Sequence, residues 1–352
     1  MHGNCGFRRA GALVLTALAL AAPVVSTAAD TSSREQAQRQ LVQPLNNAPV
    51  WRDVRSGDVN AYQTTQVRGT ETNVLIQSEG QTWRELRNGP ITIYGGWLIF
   101  VVLGVLAVFY ALKGSLRLHE KPSGRMIERF NAWERIVHWT TAISFVILAL
   151  SGIVMLFGKH ILLPVFGYTL FAWLSILAKN LHNFVGPLFV ICTALMVLTF
   201  VRDNLPRAYD WLWVRKAGGL LSGQHVPSGR FNAGEKGWFW VGVTLLGVVV
   251  SVTGIILDFP QIVDGARSAM QQANVVHAIA AVIFMSLSLG HIYLGTIGME
   301  GAYESMRNGY VDEIWAKEHH EYWYRDMTAN RGAPGPTPSA AAASPMKEGW
   351  KL

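Results

Sequence analysis

Long apolar runs dominate the middle of the chain, and within each run the hydrophobic residues are continuous rather than periodic. Each run is close to the roughly 20 residues that a helix needs to cross the hydrocarbon core of a bilayer. Five such segments are predicted, at about 91–113, 136–158, 182–201, 238–258 and 274–298. The pattern predicts an all-α integral membrane protein, a transmembrane helix bundle.

The segments outside these runs differ in character. Residues 1–29 contain Arg8 and Arg9, an apolar stretch and then small residues, which predicts a secretory signal peptide. An uncleaved signal anchor is the alternative interpretation. Residues 30–90 are polar and predict an exported extension that contacts a partner or acts as a tether. Residues 331–352 are of low complexity and predict a disordered tail.

Basic residues between the apolar runs indicate the topology. The loops after the first and third runs are rich in Lys and Arg. The basic residues of the loops after the second and fourth runs are only Lys159, Lys179 and Arg267. By the positive-inside rule, the basic loops and the C-terminus are cytoplasmic. The mature N-terminus is then periplasmic, which agrees with the signal peptide and predicts a multi-pass protein of the bacterial inner membrane.

Composition narrows the function classes. Charged residues make up 15% of the chain, well below the ~25% of soluble domains, which argues against an ordinary cytosolic enzyme. The net charge of +7 is spread over short clusters rather than one patch, so no nucleic-acid partner is predicted. The two cysteines are Cys5, in the leader, and Cys192, in an apolar run. Internal disulfides, covalent haem attachment and cysteine-held metal clusters are therefore not expected.

One short motif occurs twice, as RFNAWER at 129–135 and RFNAGEK at 230–236, each time just before a span. Asn131 with Glu134, and Asn232 with Glu235, have the spacing of a helix N-cap and its third residue. A capping-box variant explains both copies without a functional role.

Four of the ten histidines lie within the spans, namely His138, His182, His277 and His291. Ionisable residues at membrane depth are costly and usually functional. His277 and His291 are 14 residues apart on the last span, which puts them near one helix face and about 21 Å apart along the axis. The topology pairs His182 with His277 on the exported side and His138 with His291 on the cytoplasmic side.

Paired imidazoles from facing helices are what a six-coordinate b-type haem needs within a bundle, so two pairs predict two haems. Small residues follow three of these histidines by four positions, at Gly186, Ala281 and Gly295, where a macrocycle would approach a helix. Small residues also pack bare helices, so this observation alone is neutral.

The chain resembles the cytochrome b, or gamma, subunits of respiratory formate dehydrogenase over roughly residues 125–330. The resemblance rests on the following motifs: RIVHW at 135–139, NLHNFVGP at 180–187, RFNAGEKGWFW at 230–240, VVHAIAA at 275–281, GHIYLG at 290–295 and KEHHEYWYRD at 317–326. It implies a four-helix di-haem cytochrome b core, with 91–113 as one extra N-terminal span.

The resemblance also implies site residues and partners. The axial pairs of two haem b groups match His182 with His277 and His138 with His291. A quinone site is implied on the cytoplasmic side, near His291, Asn232, Gly234 and Glu235, although Glu235 stands where a related member has an amide. The implied partners are membrane lipids, quinone, an iron–sulfur (beta) subunit and a molybdenum- or tungsten-containing catalytic (alpha) subunit. The chain itself would not oxidise formate.

Two alternatives remain open from the sequence. The nearer one is the cytochrome b subunit of a membrane-bound nickel–iron hydrogenase, or of another molybdoenzyme, with a different electron donor. The other is a haem-free transporter whose buried histidines bind a metal ion or relay protons. The spans have no acidic residue in their middle, and the sequence has no clear inverted repeat. Both observations argue against the transporter.

Overall fold

The computed structural model describes residue 55 and residues 78–219, 226–263 and 265–330. The predicted signal peptide 1–29, most of the predicted extension 30–90 and the predicted tail 331–352 lie outside these residues. The described end of the extension is helical. The helices are α1 (Ser78–Leu86), α2 (Thr92–Lys113), α3 (Ala132–Phe200), α4 (Ala208–Arg215), α5 (Ala233–Gly237), α6 (Gly247–Asp258), α7 (Arg267–Tyr293), α8 (Ala302–Arg307), α9 (Glu313–His319) and α10 (Glu321–Asn330).

Short helical segments of other types and two strands complete the described elements. Wider π-helical turns are Arg87–Ile91, Trp238–Leu246 and Leu294–Gly298. Tighter 3₁₀ turns are Ala217–Gly219 and Pro260–Val263. The strands are β1 (Met126–Glu128) and β2 (Tyr310–Asp312).

Within the described residues, four continuous helices are long and apolar enough to cross a membrane. They are Gly80–Lys113, Ala132–Phe200, Ala233–Asp258 and Arg267–Gly298. The prediction of an all-α membrane helix bundle is confirmed. Each of the five predicted apolar segments lies in one of these helices, but the second and third share α3.

The merging of two predicted segments has a local cause. Helix α3 is 69 residues long, so it continues through the stretch between 158 and 182 that separates the two predicted segments. Gly167 interrupts it with φ 70° and ψ 177°, three residues after Pro164. This backbone conformation is accessible to glycine at little cost. The break therefore divides α3 into two arms, each of spanning length.

The described chain divides into two compact units. The first consists of the described residues up to Val105, of Trp139–Ala194 and of the described part of Leu245–Leu289. Its core contains Phe157, Val282 and Met285, which are all buried. Packing of these apolar side chains against one another holds the helices of this unit together.

The second unit consists of Leu106–His138, Leu195–Thr244 and the described residues from Gly290 onward. One of its clusters contains Phe130, Val137, Met196, Phe200 and Phe239. In another cluster, the antiparallel strands β1 and β2 place Ile127 opposite Val311, and both pack against Trp315.

Strand β2 leads directly into α9 through an N-cap. The Asp312 carboxylate accepts hydrogen bonds from the amides of Ile314 and Gly124, both at 2.8 Å. These bonds hold the pKa of Asp312 below its ordinary value although burial opposes the shift. These hydrogen bonds connect the chain after the last spanning helix to the segment that follows the first spanning helix.

Candidate functional site

The first unit brings His182 and His277 together. His182 lies on the second arm of α3 and His277 on α7, with 6.0 Å between ring centroids and 74° between ring planes. The Nδ1 atom of His182 is 2.9 Å from Oγ of Ser151. The Nδ1 atom of His277 is 3.0 Å from Oγ1 of Thr253. Each imidazole therefore has one ring nitrogen held by a hydroxyl on a neighbouring span.

Glycines lie beside these two rings. Gly152 follows Ser151, and a Cβ placed on it would be 3.7 Å from Cε1 of His182. Gly254 follows Thr253, and its Cβ would be 3.3 Å from Cε1 of His277. The second contact is tighter than ordinary van der Waals packing. The ring edges consequently lie close to the helix backbone, at positions where larger side chains would displace them.

The second unit brings His138 and His291 together. His138 lies near the start of α3 and His291 near the end of α7, with 6.3 Å between ring centroids and 61° between planes. The Trp238 ring stacks on His291 at 4.8 Å with an interplanar angle of 12°. Trp238 begins one π-helical segment, and another, Leu294–Gly298, starts three residues after His291. Such wider turns are frequent at functional sites.

Both pairs have the spacing that one iron between two imidazoles requires. Two ring nitrogens about 2 Å from one metal, with ring centres about 1.2 Å behind them, place the centroids between about 6 and 6.5 Å apart. The observed distances are 6.0 and 6.3 Å. A Cβ on Gly186 or Gly295, one turn beyond His182 and His291, would have no atom within 4 Å. The donor set and the adjacent space thus fit a b-type haem at each pair.

The residues implied near a quinone have structural contacts of their own. The Asn232 side chain accepts from the Glu235 amide at 3.0 Å, and Oε2 of Glu235 accepts from the Asn232 amide at 2.8 Å. The interpretation of this motif as a capping box is therefore confirmed. A Cβ on Gly234 would lie 2.7 Å from the Trp213 ring, so close packing explains this glycine. The quinone role of all three stays a prediction.

The two RFNA copies contact each other reciprocally, in what we call the arginine clamp (Arg129, Glu134, Arg230 and Glu235). Nη2 of Arg129 donates to Oε1 of Glu235 at 2.8 Å and to the Arg230 carbonyl at 3.1 Å. Nη2 of Arg230 donates to both oxygens of Glu134 at 2.8 Å and to the Arg129 carbonyl at 2.6 Å. Asn131 and Glu134 form the second confirmed capping box. Each arginine thus bonds the carboxylate that caps the other copy's helix.

A buried histidine without a predicted ligand role lies beside the clamp. The ring of His320 is 1% exposed, and its Nδ1 lies 2.8 Å from the Gly229 carbonyl. Its Nε2 is 3.9 Å from Glu235. Burial lowers the pKa of His320 to about 3, and the charge of Arg129 acts in the same direction. His320 is therefore neutral at pH 7. His2 and His225 lie outside the described residues.

Sequence reasoning missed Ser151, Thr253 and Trp238. The sequence carries a signal for the first two, because a hydroxyl residue followed by glycine occurs in both SGIV at 151–154 and TGII at 253–256. Nothing in the pattern indicates that either hydroxyl faces a histidine, since this depends on how the helices are rotated against each other. Trp238 lies in the RFNAGEKGWFW motif at 230–240, but nothing in that motif indicates that its ring stacks on His291.

Comparisons with known proteins show which family the chain is similar to. A family model described as prokaryotic cytochrome b561 matches residues 129–309. The chain is 31% identical over 204 residues to the formate dehydrogenase cytochrome b556(fdo) subunit of Escherichia coli K12, which covers 57% of this chain and 93% of the relative. The nitrate-inducible cytochrome b556(Fdn) subunit of the same strain is 30% identical over 208 residues, covering 58% and 92%.

A third relative, the formate dehydrogenase cytochrome b556 subunit of Haemophilus influenzae, is 28% identical over 208 residues, covering 56% of this chain and 82% of its own length. The family match contains His138, His182, His277 and His291. Together with the spanning helices, these similarities identify a membrane protein that binds haem b. The chain belongs to the prokaryotic cytochrome b561 family, as a cytochrome b subunit of formate dehydrogenase.

Proposed function

We propose that the chain binds two b-type haems, one between His182 and His277 and one between His138 and His291. The observation that supports this most directly is the occurrence of two imidazole pairs, each from two helices and each with centroids about 6 Å apart. Each bound haem supplies a reversible one-electron carrier. The four histidines would hold the haems, and the residues that hydrogen-bond to or stack on these imidazoles would set the polarity around each haem.

We further propose that the chain transfers electrons across the inner membrane to quinone. Formate oxidation to carbon dioxide releases one proton and two electrons, and reduction of a quinone to a quinol takes up two electrons and two protons. The catalytic alpha subunit carries out the first reaction, and the iron–sulfur beta subunit passes the electrons to this chain. With only Cys5 and Cys192, this sequence has no cysteine set for an iron–sulfur cluster of its own.

The quinone site is proposed near His291 on the cytoplasmic side, beside Asn232, Gly234 and Glu235. This assignment is supported by chain proximity, because the capping box of α5 lies immediately before Trp238, which stacks on His291. Both oxygens of Glu235 already accept hydrogen bonds, from Asn232 and Arg129. The role of Glu235 is thus to hold the helix start and its ion pair, rather than to deliver protons.

The orientation follows from the basic loops of the sequence. The cytoplasmic loops contain most of the lysines and arginines between spans, and the N-terminus of the mature chain is then periplasmic. Quinone reduction near the cytoplasmic face would take protons from that side. Formate oxidation outside releases its proton there, so the overall transfer separates charge across the membrane.

Replacement of single histidines tests the ligand pairs. His182→Ala should lower the haem b content from two per chain to one, and His138→Ala should remove the other haem. His160→Ala is the control, because His160 lies on α3 but belongs to neither pair. Unchanged haem content in the His182 and His138 variants would refute the pairing.

The electron donor can be tested in membranes. Deletion of this chain should abolish formate-dependent quinone reduction and leave hydrogen-dependent reduction intact. Loss of the hydrogen-dependent activity alone would refute the formate assignment and favour a hydrogenase subunit.

A further inference from the structure

We propose that Ser151 and Thr253 are positioning residues that fix the orientation and tautomer of His182 and His277 and thereby tune the haem that these histidines share. This inference rests on the proposed function, in which the two histidines bind one iron. It concerns the contacts behind the ligands and assigns a role to two hydroxyls of the first unit.

The second partner of each hydroxyl determines the direction of its hydrogen bonds. The Ser151 hydroxyl lies 2.8 Å from the Ile147 carbonyl, and the Thr253 hydroxyl lies 2.6 Å from the Val249 carbonyl. A hydroxyl has one hydrogen, and a carbonyl can only accept. The hydroxyl hydrogens are therefore used within their own helices, and the oxygens accept from the Nδ1–H groups of His182 and His277.

These hydrogen bonds determine which nitrogen of each ring can bind a metal. An imidazole with its hydrogen on Nδ1 has its lone pair on Nε2, which is the form that binds a metal. Both ligands of this pair have the same arrangement, although one hydroxyl comes from α3 and the other from α6. The two hydroxyls favour the binding tautomer of each ring, together with the backbone of Leu148 and Val250, which also hydrogen-bonds to His182 and His277.

The backbone beside each hydroxyl also contacts the histidine ring. Gly152 and Gly254 follow Ser151 and Thr253 directly, and their Cβ positions would lie 3.7 and 3.3 Å from the Cε1 atoms of the two rings. Hydroxyl and glycine thus act together, since the glycine lets the ring edge approach and the hydroxyl fixes its rotation. This explains why the same two-residue pattern occurs in both supporting helices.

Hydrogen bonds to the ligands affect the reduction potential of the haem. A hydrogen bond from Nδ1–H to an acceptor makes the imidazole a more basic ligand. A more basic ligand favours the oxidised iron, so loss of the bond should make the haem easier to reduce. Because both histidines serve one haem, changes at Ser151 and at Thr253 should affect the same haem and leave the other unaltered.

The test uses the full-length chain purified in its complex, with redox titration of haem absorbance and electron paramagnetic resonance of the oxidised haems. The variants are Ser151→Ala and Thr253→Val, which remove the hydroxyls. At a fixed ambient potential, each should raise the reduced-to-oxidised ratio of the same one of two haems by roughly two- to tenfold, the range for one neutral hydrogen bond. The resonance of that haem should shift as its ligand rotates.

Two further variants control for packing. Ser286→Ala removes a buried hydroxyl that bonds only the Val282 carbonyl among the described contacts, at 2.8 Å, and should change neither haem. Thr253→Ser keeps the hydroxyl and should retain the wild-type ratio. If Thr253→Val loses one haem altogether, Thr253→Ser must retain it for the inference to stand.

The inference is overturned if Ser151→Ala and Thr253→Val keep two haems with unchanged ratios and spectra, or if Thr253→Ser shifts as much as Thr253→Val. Either result would leave the proposed function standing. Failure of the proposed function would look different, because the wild-type chain would then lack haem at this pair.

Discussion

Loss of the Glu235 charge should destabilise the protein through the arginine clamp. Glu235→Gln keeps an oxygen that can cap α5, but it leaves the Arg129 guanidinium without its carboxylate. The side chain of Arg129 is only 4% exposed. Its other contacts include the Arg230 carbonyl at 3.1 Å and the rings of Trp315, Phe130 and Phe231, at 4.7, 4.9 and 5.8 Å.

These contacts set the expected loss of unfolding free energy in each variant. Breaking a buried ion pair from one side costs about 3–5 kcal/mol, and the remaining carbonyl and aromatic contacts retain part of this, so about 3 kcal/mol is expected. Arg129→Met should cost less, about 1–2 kcal/mol, because Glu235 is 36% exposed and its charge can be solvated. The double variant should be more stable than Glu235→Gln alone, because it also removes the Arg129 guanidinium that has lost its carboxylate.

A double-mutant cycle measures this coupling. The free energy of unfolding in mixed detergent micelles, followed by tryptophan fluorescence, should give a coupling of about 1–3 kcal/mol for Arg129 and Glu235. The control pair is Lys317 and Glu120, whose side chains are 50% and 58% exposed, and its coupling should stay below about 1 kcal/mol. Equal couplings in the two pairs, or a Glu235→Gln variant no less stable than Arg129→Met, would refute the reasoning.

Two further predictions concern His320 and Gly254. Because burial lowers the pKa of His320 from 6.5 to about 3, the unfolded chain binds a proton that the folded chain excludes, so stability should fall as pH drops below about 6.5. His320→Gln should flatten the dependence of the unfolding free energy on pH, and an unchanged slope would contradict this. Gly254→Leu should push His277 aside and remove one haem, as measured by haem content. Gly104→Leu should remove none, because its Cβ meets no atom within 4 Å. Two haems with an unaltered spectrum in Gly254→Leu would show that the ring has room to adapt.

The sequence predicted the spanning segments well because hydropathy over about 20 residues reports directly on burial in lipid. It did not predict that α3 continues between two of these segments. Lys159 and His160 suggest a loop there, whereas the helix is interrupted only at Gly167. The two three-residue strands also escaped prediction, since such short elements have no detectable periodicity.

Site features with a local signal in the sequence could be predicted, whereas contacts between distant parts of the chain could not. The four histidines were predicted as ligands from their depth and topology; the structure places His138 near His291 and His182 near His277, and their ligand role stays a prediction. The two capping boxes were found because they are local, with partners three residues apart. The arginine clamp joins residues about 100 positions apart, as Arg129 and Arg230 show. Contacts of that kind depend on tertiary packing, which a single sequence does not reveal.

The most direct test of this account is the haem b to protein ratio of the purified full-length chain, recorded with a reduced-minus-oxidised spectrum in mild detergent. The account predicts two haems per chain with the spectrum of six-coordinate b-type haem. One haem per chain would contradict the double pairing. No haem, in folded protein supplied with haem during expression, would contradict the cytochrome function itself.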